Sequence, residues 1–196
     1  MATQETYPVQ MDLNAPLEIA RWRVIQGILA IPHFFVILVL GIVYNVLTFV
    51  SVFTVIFTGN VPRGIFDFRV AFLRYVWRVQ SYYLFMREEY PPFDWTSASE
   101  DPGGDPAWLS IAYPEKMSRI LWLVKGILAI PHIIVIILMV ISMYVVIPIS
   151  FLVVLFTGKW PEGLRKYVIG FARWITRVQA YTGFMTDVYP PFSLEP

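Results

Sequence analysis

Two long runs without a charge constrain this chain more than anything else in it. Between Arg23 and Arg63 lie 39 residues with no Asp, Glu, Lys or Arg, and between Lys125 and Lys159 lie another 33. A helix needs about 20 apolar residues to cross a bilayer core, so each run is long enough. A single helix over the whole first run would reach roughly 58 Å against a core of about 30 Å, so a break is expected. Pro32 and Pro131 supply it near the start of each run. Proline suits the first helical position and pushes the residue before it out of the α region. The runs therefore predict a lead-in lying in the membrane plane over 17–30 and one spanning helix over 32–57. The second copy of this pattern falls at 116–129 and 131–156, with a kink at Pro148. The N-terminus (MATQETYPVQMDLN) has no basic segment or small-residue cleavage site, so the first run is expected to stay in the mature protein.

Composition agrees. The chain is 57% hydrophobic and 15% charged, where soluble domains carry about 25% charged residues. Fifteen basic residues stand against 14 acidic ones, so no polyanion is implied and nucleic acid is not an expected partner. Cysteine is absent, which excludes disulfides, thiolate metal sites and cysteine nucleophiles.

An internal duplication organises the chain. GILAIPH occurs at 27–33 and again at 126–132, and the same offset of 99 relates FTG at 57–59 to 156–158 and YPPF at 90–93 to 189–192. Aligning 27–93 on 126–192 without gaps gives 30 identities in 67 positions, which chance does not produce. The organisation is repeat 1 over 1–93, a polar linker over 94–113 and repeat 2 over 114–196. Two copies suggest a pseudo-twofold pair sharing one interface. Basic residues fall at matching positions, so the copies are expected to share an orientation and to contain an even number of crossings each. That makes about four membrane helices, two per repeat, in an all-α membrane protein. AWLSIAY in the linker and YPVQMDL at 7–13 alternate in polarity, which allows a small extramembrane β pair.

The second helix of each repeat carries the polar residues. After FTG, the segment 61–86 reads as a helix opened by Pro62. Arg63, Asp67, Arg74 and Arg78 project within roughly 60° of one another at helical spacing. Glu162, Lys166, Arg173 and Arg177 repeat the stripe. One alternative is a crossing helix whose stripe faces the bundle interior, where the arginines need carboxylate, phosphate or carbonyl partners. The other is a helix in the interface with its stripe toward headgroups. Histidine occurs only as His33 and His132, each directly after the repeat's proline. Each can bond a nearby carbonyl or a residue of the Arg stripe; the sharper alternative makes them axial ligands of a haem or ligands of a pigment. Two histidines are too few for zinc, and no adjacent acid and nucleophile support hydrolysis, so no catalytic residue is assigned. YPPF is expected to end the helix and plug the bundle end with its aromatic rings.

The set ILAIPH, FTG followed by proline, Arg74–Arg78–Tyr82 in RYVWRVQSY with Arg173–Arg177–Tyr181 in RWITRVQAY, and YPPF resembles a bacterial membrane-protein family known as a domain of unknown function. It covers about 15–93 and 114–192 as two tandem copies. The resemblance implies a multi-pass protein of the bacterial inner membrane and carries over no activity and no catalytic residue. The matched positions are His33, Arg74, Arg78 and Tyr82 with their mates His132, Arg173, Arg177 and Tyr181. Tyr75 stands where the second copy has Trp174.

The expected function is that of a non-catalytic accessory or structural subunit of a larger membrane complex. The lipid bilayer is one expected partner, and other membrane proteins or a second copy are the others. One alternative is a transporter or binder of a lipid or amphipathic anion through Arg74, Arg78, Arg173 and Arg177. Another is a haem or pigment protein through His33 and His132. The cofactor, if any, is left open.

Overall fold

Each charge-free run becomes one long helix. The computed structural model describes residues 7–196. A 3-10 lead-in over Arg21–Ala30 feeds α1 (Ile31–Thr58), with Pro32 in its first turn as expected. After the FTG turn comes α2 (Arg63–Tyr83). Repeat 2 has α3 (Trp122–Thr157) and α4 (Glu162–Thr182). Gly59 and Gly158 close α1 and α3 in the left-handed region, at φ 79° and 71°. That conformation suits glycine because it has no Cβ. Pro62 and Pro161 then open α2 and α4.

The two lead-ins differ. The break expected at Pro131 is not there: α3 runs through both Pro131 and Pro148. Proline removes one hydrogen bond and crowds the carbonyl four residues back, a loss that a long apolar helix tolerates when its other bonds are intact.

Two short strands pair antiparallel, β1 (Val9–Leu13) and β2 (Ala107–Ile111), with Met11 opposite Leu109 at the centre. Val9, Met11 and Leu13 point into the core from β1, as Ala107, Leu109 and Ile111 do from β2. The strands are exchanged between the repeats. β1 precedes the helices of repeat 1 but packs on α4, and β2 lies in the linker before the helices of repeat 2 but packs on α2. The crossing-over continues along the chain. Ile19 N–H donates to the Gly158 carbonyl at 2.9 Å, and Met117 N–H donates to the Gly59 carbonyl at 2.8 Å. An antiparallel pair carries a local twofold at its centre, so the pseudo-twofold of the sequence passes between Met11 and Leu109.

The result is layered: the sheet lies on α2 and α4, and these lie on α1 and α3. Among the described residues, α1 with its lead-in and α3 are the helices long and apolar enough to cross a membrane. The second crossing expected in each repeat is thus met by helices of a different kind. The stripe of α2 and α4 does face the interior, but an open sheet and the acidic linker cover it, where membrane helices were expected.

Trp160 locks the two repeats together. Its indole N–H donates 2.7 Å to the Phe85 carbonyl while its ring stacks on Phe85 at 5.2 Å. Burying so large a side chain with its one polar atom satisfied joins α4's start in repeat 2 to the end of α2 in repeat 1.

Candidate functional site

The charged stripe divides along each helix. Its first halves are exposed i,i+4 pairs, Arg63 with Asp67 at 3.1 Å and Lys166 with Glu162 at 2.7 Å. Its second halves, Arg74, Arg78, Arg173 and Arg177, are all buried. The alternation of the strands explains why. A strand that turns its side chains down onto a helix also brings its carbonyls within reach of long basic side chains, and guanidinium is donor-only with a forked geometry.

In repeat 1 the partners are both carbonyls and acids. Arg74 Nε donates to the Leu109 carbonyl at 2.9 Å and meets Asp101 Oδ2 at 3.0 Å, while its Nη2 donates to the Ala98 carbonyl at 3.0 Å. Arg78 Nη2 donates to Asp101 Oδ1 at 3.2 Å. Asp101 also accepts the backbone N–H groups of Gly103 at 2.8 Å and Leu109 at 2.9 Å, so both of its oxygens are doubly used. A third arginine, Arg87, is fully buried against Asp105. Burial pulls the Arg74 guanidinium below its ordinary range and Asp101 opposes that pull. The group stays charged, because arginine does not give up its proton in proteins.

Repeat 2 solves the same problem with carbonyls. Arg173 donates through Nε and Nη2 to the Met11 carbonyl, at 3.2 and 3.1 Å, and through Nη1 to the Leu194 carbonyl at 2.5 Å. Asp12 is half-exposed at 3.6 Å from it. Arg177 donates to the Ser193 carbonyl at 3.2 Å and lies over the Tyr7 ring. Arg74 and Arg173 thus bind the central residues of the paired strands, each strand coming from the other repeat. The four arginines form two separate pairs on either side of the sheet centre. Their role in this geometry is to clamp the exchanged strands.

The histidines are likewise held apart, each in its own aromatic box. His33 stacks on Phe93 at 4.1 Å and lies 4.8 Å from Tyr90. His132 stacks on Phe192 at 4.0 Å and lies 4.9 Å from Tyr189. Tyr90 and Phe93 belong to one YPPF, Tyr189 and Phe192 to the other, so the expected aromatic plug closes over the histidine. No residue is common to the two boxes, and a haem held axially by both histidines does not fit this arrangement.

The Tyr75/Trp174 difference between the copies acquires a meaning here. Trp174 Nε1–H donates to His132 Nδ1 at 3.0 Å, and the Tyr75 hydroxyl meets His33 Nδ1 at 2.6 Å. Indole can only donate, so His132 Nδ1 is an acceptor and its proton sits on Nε2. Burial pushes the Tyr75 hydroxyl up to about 12, so it stays protonated, and a hydroxyl, unlike indole, can either donate to His33 Nδ1 or accept from it. Both Nε2 atoms are buried without a protein partner. In the tautomer that Trp174 imposes, His132 Nε2 carries a proton and offers no lone pair to iron. Replacing Trp174 by Phe leaves Nδ1 a buried acceptor without a donor and is expected to cost about 1–3 kcal/mol. Trp174→Tyr copies the solution of repeat 1 and should recover part of that loss. Thermal unfolding of the two variants in one detergent compares them.

Several residues of these networks escape a reading of the sequence. Gln26 is buried and donates to the Tyr82 and Arg87 carbonyls at 2.5 and 2.9 Å; its counterpart Lys125 donates to the Thr186 carbonyl at 2.8 Å. Arg69 is fully buried beside Ser51 Oγ at 3.3 Å and over the Tyr44 ring. Asp101 and Asp105 read as linker charges. The only signal for them was the surplus of arginines on the stripe. Among the described residues no group of three His, Cys, Asp or Glu side chains is placed to hold a metal.

No curated protein and no solved structure matches the chain. The family whose pattern does match covers residues 23–94 and 119–193, one segment for each of the two helix pairs and its aromatic box. Two tandem copies of a domain of unknown function, DUF4389, make up most of this chain, and it belongs to that family.

Proposed function

We propose that this protein is a non-catalytic, membrane-embedded accessory or structural subunit of the bacterial inner membrane. The observation that carries this reading is the division of its surface and interior. Arg74, Arg78, Arg173 and Arg177 are buried and engaged with carbonyls and carboxylates, and Asp101 meets four donors. The long apolar helices are left uncovered on their outer faces. A catalytic site needs a reactive group beside an accessible cavity. The largest cleft, about 530 Å³ between α4 and the C-terminal tail, is lined by Arg165, Lys166 and Arg173 with Asp12, Glu162 and Glu195. Of Arg74, Arg78, Arg173 and Arg177 only Arg173 reaches it, and that guanidinium is already bonded to two carbonyls. This weighs against the binder of anions or lipids, because a headgroup would have to displace the strand from its clamp.

Native mass spectrometry of the chain extracted in mild detergent from the cells that make it tests the proposal. A co-purifying polypeptide or a second copy at fixed stoichiometry is the expected result. A monomer retaining a small amphipathic anion that Arg173→Gln releases would move the function to the Arg pairs.

A further inference from the structure

The outer faces of α1 and α3 are apolar over most of their length; Asn45, exposed midway along α1, donates its amide N–H to the Gly41 carbonyl at 2.7 Å. Phe35, Leu38, Ile42, Phe49 and Phe57 stand exposed along α1, as do Ile134, Leu138, Ile141, Val145 and Phe156 along α3. The sheet and the acidic linker lie on the far side of α2 and α4 from these faces.

Chain direction decides how a bilayer can meet them. The end of α1 lies against the start of repeat 2, where Met117 N–H reaches the Gly59 carbonyl at 2.8 Å. The end of α3 lies against the start of repeat 1, where Ile19 N–H reaches the Gly158 carbonyl at 2.9 Å. The two long helices therefore run in opposite directions. Suppose α1 crossed a bilayer, with Gly27 on one side and Gly59 on the other. α2 would run back across, because the Tyr83 ring lies against Gly27, 3.5 Å from where a Cβ would stand. The chain from 84 to 117 would then have to return to Gly59 through the thickness of the membrane. That segment carries Glu88, Glu89, Asp94, Glu100, Asp101, Asp105 and Glu115. It also contains β2, which pairs with β1 alone and leaves a free edge on each strand. Open sheet edges facing lipid do not occur in the hydrocarbon region, and ionised carboxylates there are expensive.

We infer that the protein crosses no membrane and is seated in one leaflet, with α1 and α3 lying in the membrane plane. Their outer faces enter the acyl chains, while the sheet and linker face water on a single side. Zero crossings is also an even number, so the matching charges of two parallel copies are accommodated. The pseudo-twofold through the sheet then stands along the membrane normal. The rim has the chemistry of a headgroup boundary. Trp22 and Trp122 are partly exposed beside the apolar faces. Exposed Arg21 and Lys159 lie at one corner, and Lys116 and Arg119 at the corner related to it. Tryptophan settles at that depth, and exposed basic side chains attract anionic lipids. The partner is accordingly a leaflet containing anionic phospholipid. This replaces the multi-pass arrangement expected from the length of the two runs.

The absence of cysteine makes the test direct. Single cysteines at the exposed positions Glu89, Lys116 and Lys159 are probed with a membrane-impermeant maleimide in sealed right-side-out and inverted vesicles of cells making the full chain. All three should label in one vesicle orientation and be protected in the other. Labelling of Glu89→Cys and Lys116→Cys from opposite sides would overturn the inference, because α1 would then cross. Recovery of the chain in the soluble fraction without detergent would overturn it as well. Polarised infrared dichroism of the unmodified chain in oriented phosphatidylethanolamine and phosphatidylglycerol bilayers should place the helix axes near the membrane plane, and axes near the normal would contradict the seating. None of these readouts depends on whether the chain has a protein partner.

Discussion

Replacing Asp101 by Ala should destabilise the protein by about 3–5 kcal/mol, the usual consequence of leaving buried charge without its partner. Asp101 holds Arg74 and Arg78 together and accepts two backbone N–H groups besides. Removing it leaves the buried Arg74 guanidinium with carbonyl partners, leaves Arg78 with Asp94 and Asp105 at the longer distance of 3.9 Å, and frees the turn that leads into β2. At about 2–4 °C per kcal/mol for a chain of this size, the midpoint of thermal unfolding should fall by about 10 °C. The same change at Asp12 is the internal control. Asp12 is half-exposed and 3.6 Å from Arg173, whose guanidinium already binds the Met11 and Leu194 carbonyls. Exposed pairs contribute about 0–1 kcal/mol, so Asp12→Ala should move the midpoint little. Equally small losses at both positions would mean that the carbonyl clamp, and not the carboxylate, carries the stability in both repeats.

Cutting the chain should show the exchange of strands as an all-or-none effect. Gly103 and Gly104 lie in an open turn where an added Cβ would meet nothing within 4 Å, and Gly103 keeps its bond to Asp101 in the first half, so a break between them disturbs little of the fold. Residues 1–103 made alone contain β1 but not α4, the helix on which β1 packs. Residues 104–196 made alone contain β2 but not α2. Each half keeps only part of the cover of its arginines: residues 1–103 retain Asp101 for Arg74 and Arg78 but lose the Leu109 carbonyl, and residues 104–196 retain the Leu194 and Ser193 carbonyls but lose Met11, so each alone should aggregate or pair with itself. Produced together, they should co-purify as a one-to-one complex with the helical circular dichroism of the uncut chain. A half that is monomeric and cooperatively folded by itself would show that the strands contribute less than their burial implies.

Much of this architecture could be read from residue order. The repeat, the FTG turns and the proline-opened helices after them are local matters of proline geometry and of the left-handed glycine at the end of a helix. The possible strand pair at 7–13 and 107–113 was visible in alternation alone, because strand side chains alternate with period two. Where local chemistry is balanced, the reading was less secure. Pro32 starts a helix and Pro131 lies inside one, although the GILAIPH around them is the same in both copies. The difference was not legible from the motif.

Identity of partners is where residue order stops. The stripe announced that Arg74, Arg78, Arg173 and Arg177 would need acceptors, but a carbonyl has no sequence signature, and Met11 and Leu109 serve through their backbones. The difference between Tyr75 and Trp174 acquired a meaning once both were seen hydrogen-bonded to a histidine Nδ1. Hydropathy established that the two runs prefer an apolar environment, because burial of apolar side chains depends on how much surface leaves water and not on direction. Whether those helices stand across a bilayer or lie in it depends on where the rest of the chain must go. The packing of Tyr83 on Gly27, the bond from Met117 to Gly59 and the ion pairs of Asp101 with Arg74 and Arg78 fix the acidic linker beside the helices, because such contacts join residues far apart in sequence whose meeting no local pattern encodes.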